Sequence, residues 1–168
     1  MRRSLLIWLG VLLMAPAFAS AQSTLNVYQT IDIKASPQKV WDGIKNFDNL
    51  NGWHPAFAST VLTSGQNNVP GAMRKLTLKD GPSFDEELLA FDNGAMRLRY
   101  RIVGAAPLPI DNYDSTIQVI PDGMNAATVV WRSSFVSQPG AKDDELMKGV
   151  AGLYQAGMQN AKRMLEGN

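Results

Sequence analysis

A few side chains in this 168-residue chain have the chemistry to act on another molecule. His54, the single histidine, stands between Trp53 and Pro55. At the mouth of a pocket its imidazole could be a general base or a polar contact to a ligand, or it could be a partly exposed cap without a matched nucleophile. Arg74 keeps strand parity with Leu76 and Leu78, and Glu86 keeps it with Phe84 and Leu88. Both charges therefore point to the apolar side, where each needs a partner or water. They either form a structural ion pair or fix the polar end of a ligand in an otherwise apolar cavity. Tyr100, Tyr113 and Tyr154 join a large apolar ring to a hydroxyl, which suits a pocket wall and equally suits ordinary packing. Arg132 and Trp131 have opposite parity, and parity alone leaves open which of them faces inward. Gly157, with Gly149, Gly152, Ala151 and Ala156, makes the last helix rich in small residues. Such a helix either leaves room beneath it for a ligand or permits close contact with a sheet, and room is the expectation. Gly157→Leu should then stay folded and compete with the ligand.

Trp53, His54, Arg74, Glu86, Tyr100, Tyr113, Arg132, Tyr154 and Gly157 are thus the candidate ligand-binding residues, with no catalytic role assigned. No metal and no cofactor is expected. One histidine and no cysteine exclude a two-histidine site and thiolate chemistry. The acidic groups Asp85 to Glu87 and Asp143 to Glu145 fall in a strand and a helix start.

The elements that must position these residues are legible from periodicity. Leu25 to Lys34 alternates as a strand. Ser36-Pro37 then offers an N-cap and a first-turn proline to a helix carrying Val40, Trp41, Ile44 and Phe47. Asp48 to Pro55 reads as a second short helix. Six strands follow between Phe57 and Val136: Phe57 to Thr63, Met73 to Lys79, Phe84 to Phe91, Met96 to Ile102, Tyr113 to Ile120 and Thr128 to Val136. Turns of Asp, Asn, Gly and Pro separate them. Met96, Leu98, Tyr100 and Ile102 alternate with Arg97, Arg99 and Arg101, one face buried and one solvated. A helix from Lys142 to Glu166 closes the chain, with acids in its first turn and an apolar stripe of Leu146, Val150, Leu153, Tyr154, Met158, Ala161 and Leu165. The fold class is α+β: a seven-stranded curved antiparallel sheet wrapped around the long C-terminal helix, with two short helices after the first strand.

Residues 1–21 carry two arginines, an apolar run from Leu5 to Met14 and small residues ending at Ala21, the pattern of a cleaved secretory signal peptide. Residues 22–168 then form a single domain, and the protein is expected in the periplasm or secreted. The leader holds two of the 16 basic residues and none of the 15 acidic ones, so its removal leaves 14 against 15, a formal charge of −1. That balance excludes an electrostatic nucleic-acid binder. No transmembrane segment is expected in the mature chain.

Several segments in order strengthen the topology: Ala35-Ser36-Pro37-Gln38-Lys39-Val40-Trp41, Phe47-Asp48 with Trp53-His54-Pro55, Gly71-Ala72-Met73-Arg74, Asp85-Glu86-Glu87-Leu88-Leu89, Tyr100-Arg101-Ile102, the run Pro107 to Tyr113, and Val130-Trp131. Together they resemble the SRPBCC superfamily, the START-like or birch-pollen-allergen-like helix-grip proteins, in its polyketide cyclase/dehydrase and lipid-transport branch. An exported member of this length also resembles the periplasmic accessory proteins encoded with bacterial methanol-oxidation systems. Similarity to the branch's plant abscisic-acid receptors implies that Glu86 and Tyr113 line the pocket. Lys79 to Ser83 differs from the receptor gate, and no lysine stands near Ala58, so only the pocket geometry carries over. The resemblance implies a periplasmic binding or carrier protein for a small hydrophobic or amphipathic ligand. Two other readings stay open: a cyclase/dehydratase-like enzyme using Glu86, Tyr113 or His54 as acid or base, and an accessory protein acting through its surface on a periplasmic oxidoreductase.

Overall fold

The computed structural model describes residues 23–167, so the leader assigned to residues 1–21 lies outside the described residues. Strand β1, Thr24–Ile33, is followed by helix α1, Pro37–Ile44. Ser36 caps α1, its hydroxyl accepting the Lys39 amide at 3.3 Å, and Pro37 occupies the first turn. A 3-10 helix, Phe47–Gly52, comes next. It begins before Asp48 and ends ahead of Pro55, because the side chains of Asn68 and Asn67 accept the free Phe47 and Asp48 amides and start the turn early. Strands β2 (Phe57–Ser64), β3 (Met73–Leu78), β4 (Ser83–Asp92), β5 (Arg97–Val103), β6 (Ile110–Pro121) and β7 (Ala127–Ser137) then precede helix α2, Asp143–Glu166.

All seven strands form one antiparallel sheet in the order β1-β7-β6-β5-β4-β3-β2. This is the α+β helix-grip fold: the curved sheet wraps α2. The helix is tied to β1 by Gln155, which donates to the Gln29 amide oxygen, and by Lys162, which donates to the Asp32 carbonyl. Its apolar stripe faces the concave side, with Leu146, Val150, Tyr154, Met158 and Ala161 buried. Gly167 ends it in a left-handed conformation at φ 79°. Among the described residues no helix is long and apolar enough to cross a membrane.

Two details differ from the periodicity. Met96 stands before β5 with φ 49°, in the turn rather than the strand. Strand β6 starts three residues before Tyr113, at Ile110, and carries a bulge between Asp111 and Asp114. Asn112 takes φ 55° there, a conformation that asparagine tolerates better than most residues. The extra residue restores the inward aim of Tyr113 three positions after buried Ile110, where simple alternation would turn it out.

Candidate functional site

Glu86, Tyr100, Tyr113 and Tyr154 meet around a cavity of about 50 Å³ between the sheet and α2. Leu50, Phe57, Phe84, Trp131, Val150 and Leu153 supply apolar wall, and Pro107 and Leu108 from the β5–β6 connection complete it. That volume holds one or two water molecules. It is far below the roughly 300 Å³ at which small-molecule pockets begin.

Arg74 and Glu86 are direct cross-strand partners on β3 and β4, 3% and 4% exposed. The guanidinium donates through Nε (2.8 Å) and Nη2 (2.5 Å) to the same oxygen, Glu86 Oε2. Nη1 donates to the Phe47 carbonyl at 2.7 Å, and the guanidinium lies 4.1 Å over the Phe47 ring. Arg74 is thus engaged through all three nitrogens and fastens the 3-10 helix to the sheet. Glu86 is not: Oε1 takes neither of these bonds. Burial pushes the Glu86 carboxyl up from its ordinary range while Arg74 pulls it back.

A chain of hydroxyls runs beside that carboxylate. Tyr113 and Tyr154 share a hydrogen bond of 2.5 Å, and Ser115 Oγ lies 3.4 Å from Tyr154 and donates to the Arg132 carbonyl at 3.0 Å. Trp131 Nε1 donates to both Tyr100 and Ser115, each at 3.0 Å. The indole stacks on the Tyr154 ring with centroids 4.3 Å apart and 8° between planes. Burial holds the Tyr100 and Tyr113 phenols well above the ordinary value and pushes Tyr154 up to about 12, so all three remain neutral donors at physiological pH. Ser115 and Trp131 were missing from the candidate set. Strand parity with Tyr113 and Ile117 would have found Ser115.

His54 is not at a mouth. Its side chain is in the core, 1% exposed, between Trp53, Phe57 and Trp131. Nε2 donates to the Leu153 carbonyl of α2 at 2.9 Å, and Nδ1 accepts the Ala56 amide at 3.2 Å. Both nitrogens are used, which fixes the neutral tautomer protonated on Nε2 and leaves no lone pair for a substrate. Gly157 is the reason the ring fits: a Cβ there would lie 2.3 Å from His54 Cδ2. The expectation of ligand room under Gly157 is therefore corrected, since the space holds the imidazole. Gly149 and Gly152 face solvent and open nothing beneath the helix.

Burial pushes His54 down to about 4 from an ordinary 6.5, with Arg74 adding a small repulsion. As pH falls the unfolded chain takes up this proton first, so the stabilisation by neutral His54 is complete above about pH 6.5 and is lost progressively toward pH 4. The loss should total about 3 kcal/mol. Urea unfolding at a series of pH values should show that slope in the parent and a shallower one in His54→Gln; equal slopes would remove His54 as its source.

Trp53 stands behind the cavity against Trp131, its carbonyl accepting Asn160 of α2 at 2.9 Å and its Nε1 buried without a hydrogen bond. Arg132 is on the other face altogether. Trp131 turns inward and Arg132 is exposed on the convex side, so Arg132 does not join the interior group.

Residues 24–166 match the family described as polyketide cyclase/dehydrase and lipid transport. No curated protein matches the chain. An uncharacterised protein from Bacillus thuringiensis is 30% identical, with 84% of this chain and 98% of that one covered at a TM-score of 0.76. The protein XoxI from Bacillus cereus is also 30% identical, with 83% and 94% covered and a TM-score of 0.76. Norcoclaurine synthase from Thalictrum flavum, solved in complex with dopamine and hydroxybenzaldehyde, shares the fold at 14% identity, with 93% and 95% covered and a TM-score of 0.69.

Proposed function

This chain belongs to the polyketide cyclase/dehydrase and lipid-transport family, and from that premise we propose that its interior takes a small, mostly apolar molecule with a polar end and acts on it by acid–base chemistry. One observation carries the reading: Glu86 has a carboxylate oxygen free of Arg74, on a wall otherwise made of apolar side chains and neutral phenols. A carboxylate raised by burial is suited to removing a proton next to a carbonyl. Neutral Tyr113 and Tyr154, within reach of the same space, suit donation to the oxygen on which charge develops. Loss of water or ring closure in a β-keto or β-hydroxy carbonyl compound is the reaction class such a set serves. Norcoclaurine synthase, on the same fold, is a synthase solved in complex with dopamine and hydroxybenzaldehyde. Because the cavity holds only about 50 Å³, admission of substrate requires part of its wall to move aside.

The test is a set of linear β-polyketone thioesters incubated with the parent and with Glu86→Gln, followed by chromatography and mass analysis. Cyclised or dehydrated product from the parent, and a loss of roughly 100-fold or more in the variant, is expected. An equal rate in the variant would sink the assignment. Retained binding without turnover by the parent would favour the second reading, a carrier, which is supported by His54: the histidine has no nitrogen left for catalysis.

Export belongs to the same proposal. Residues 1–21 are removed and the chain works in the periplasm, where it could also serve as an accessory to an oxidoreductase. Mass measurement of the exported protein should give a chain starting near Gln22; a membrane-held chain beginning at Met1 would overturn this.

A further inference from the structure

The convex face of the sheet carries a second concave feature, a groove of about 620 Å³ that shares none of the interior's chemistry. Its floor is a straight row across four strands: Tyr28 of β1 opposite Arg132 of β7, Arg132 opposite Thr116 of β6, and Thr116 opposite Arg99 of β5. Arg97 stands two residues from Arg99 on the same face. Asp114 neutralises Arg99 with a bidentate pair at 2.8 Å, and Arg101 beyond it is taken by Glu87 at 2.6 Å. Arg97 and Arg132 are different: both are exposed, and among the described residues neither has an ion pair or side-chain hydrogen bond. Asp92, opposite Arg97 in register, uses its carboxylate on the Ala95 amide of its own turn. In a chain of almost balanced charge, two free guanidinium groups are thus held on a rigid sheet beside an aromatic ring that is 62% exposed.

The spacing selects the occupant. Arg97 and Arg132 are two strands apart and offset by two residues, which puts their Cα atoms about 12 Å apart on a sheet of ~4.8 Å strand spacing and ~3.3 Å rise. Side chains stand roughly perpendicular to a sheet, so the two guanidinium groups keep about that separation unless they lean together over one anion. That separation matches two carboxylates about four residues apart on an extended chain. Arginine and tyrosine, with lysine absent from the groove, are also the residue types enriched where proteins meet proteins.

We propose that the convex groove between Tyr28, Arg97 and Arg132 docks an extended segment of a partner protein bearing two acidic side chains about four residues apart. The site is independent of the interior chemistry, so neither result decides the other. The probe is a fluorescein-labelled, threonine- and valine-rich nonapeptide with two glutamates four apart, titrated by anisotropy at an ionic strength of about 0.02 M, where exposed charges are weakly screened. The parent should bind it. Arg97→Gln/Arg132→Gln should weaken binding by roughly tenfold or more with an unchanged melting temperature, and the peptide with both glutamates replaced by glutamine should not bind. Several outcomes would overturn the proposal: no binding by the parent, equal binding by the double variant, complete displacement of the peptide by equimolar inorganic phosphate, or a parent dimer that the double variant dissolves. The third would make the groove a small-anion site and the last a contact between copies of this chain.

Discussion

Glu86→Ala should destabilise the protein by about 3–5 kcal/mol, the cost of leaving one member of a buried ion pair without its partner. In a domain of this size that lowers the melting temperature by roughly 10 °C. The two ends of the pair are not equivalent. Without Glu86, the Arg74 guanidinium cannot shed its charge, and only the Phe47 carbonyl and the Phe47 and Tyr100 rings remain to it. Without Arg74, the Glu86 carboxyl, already pushed up by burial, can take a proton. Arg74→Ala should therefore lose less stability as the pH is lowered, whereas Glu86→Ala should show no such relief. The apolar double variant Arg74→Met/Glu86→Leu should cost less than Glu86→Ala alone, because no orphaned charge is left. Chemical denaturation of the variants at pH 5 and pH 8 checks this; a double variant less stable than Glu86→Ala would mean that the pair stabilises outright, and one equal to the sum of the singles that the two side chains are not coupled.

Gly157→Leu should cost about 1–3 kcal/mol, and Gly157→Ala should also destabilise, since even a Cβ there meets the His54 ring. Overpacking costs about 1–3 kcal/mol and the lost His54–Leu153 hydrogen bond about 1, against roughly 0.8 recovered from helix propensity. The ring cannot retreat cheaply. Phe57 is 4.8 Å away centroid to centroid, Trp131 5.8 Å, and both nitrogens are bonded. Gly152→Ala, one and a half turns earlier on the solvent side, meets nothing within 4 Å and should gain up to about 1 kcal/mol. Thermal melts of the three variants separate the two environments: an unchanged or raised melting temperature for Gly157→Leu would mean that the imidazole does not fill the space beside Gly157.

Most of the scaffold was legible because its signals are local. Serine followed by proline at positions 36 and 37 specified a helix start with no reference to the rest of the chain. Alternation in β5 separated buried Leu98 and Tyr100 from the arginines, and the same parity put Arg74 and Glu86 on the inner face. The shift of β6 was not visible in that way. A bulge adds one residue without a compositional mark of its own, and only pairing with β7 shows that the strand begins at Ile110. Likewise, Asn67 and Asn68 read as loop residues until the fold brings them under the amides of Phe47 and Asp48.

The site divides along the same physical line. Sequence by itself determined which residue types were available: one histidine, no cysteine, a carboxylate and an arginine in matching parity, and tyrosines on apolar stripes. Tertiary structure decided what each of them does. His54 and Gly157 are 103 positions apart, and no periodicity could reveal that one lacks a side chain to admit the other. Arg132 and Trp131 differ by one step along a strand, and their roles depended on which face met α2. The free oxygen of Glu86 follows from the angle at which Arg74 reaches it while also serving Phe47. Side-chain identity and local dihedral preference are encoded within a few residues, whereas burial, pairing and enclosed volume arise only when distant segments exclude water from one another.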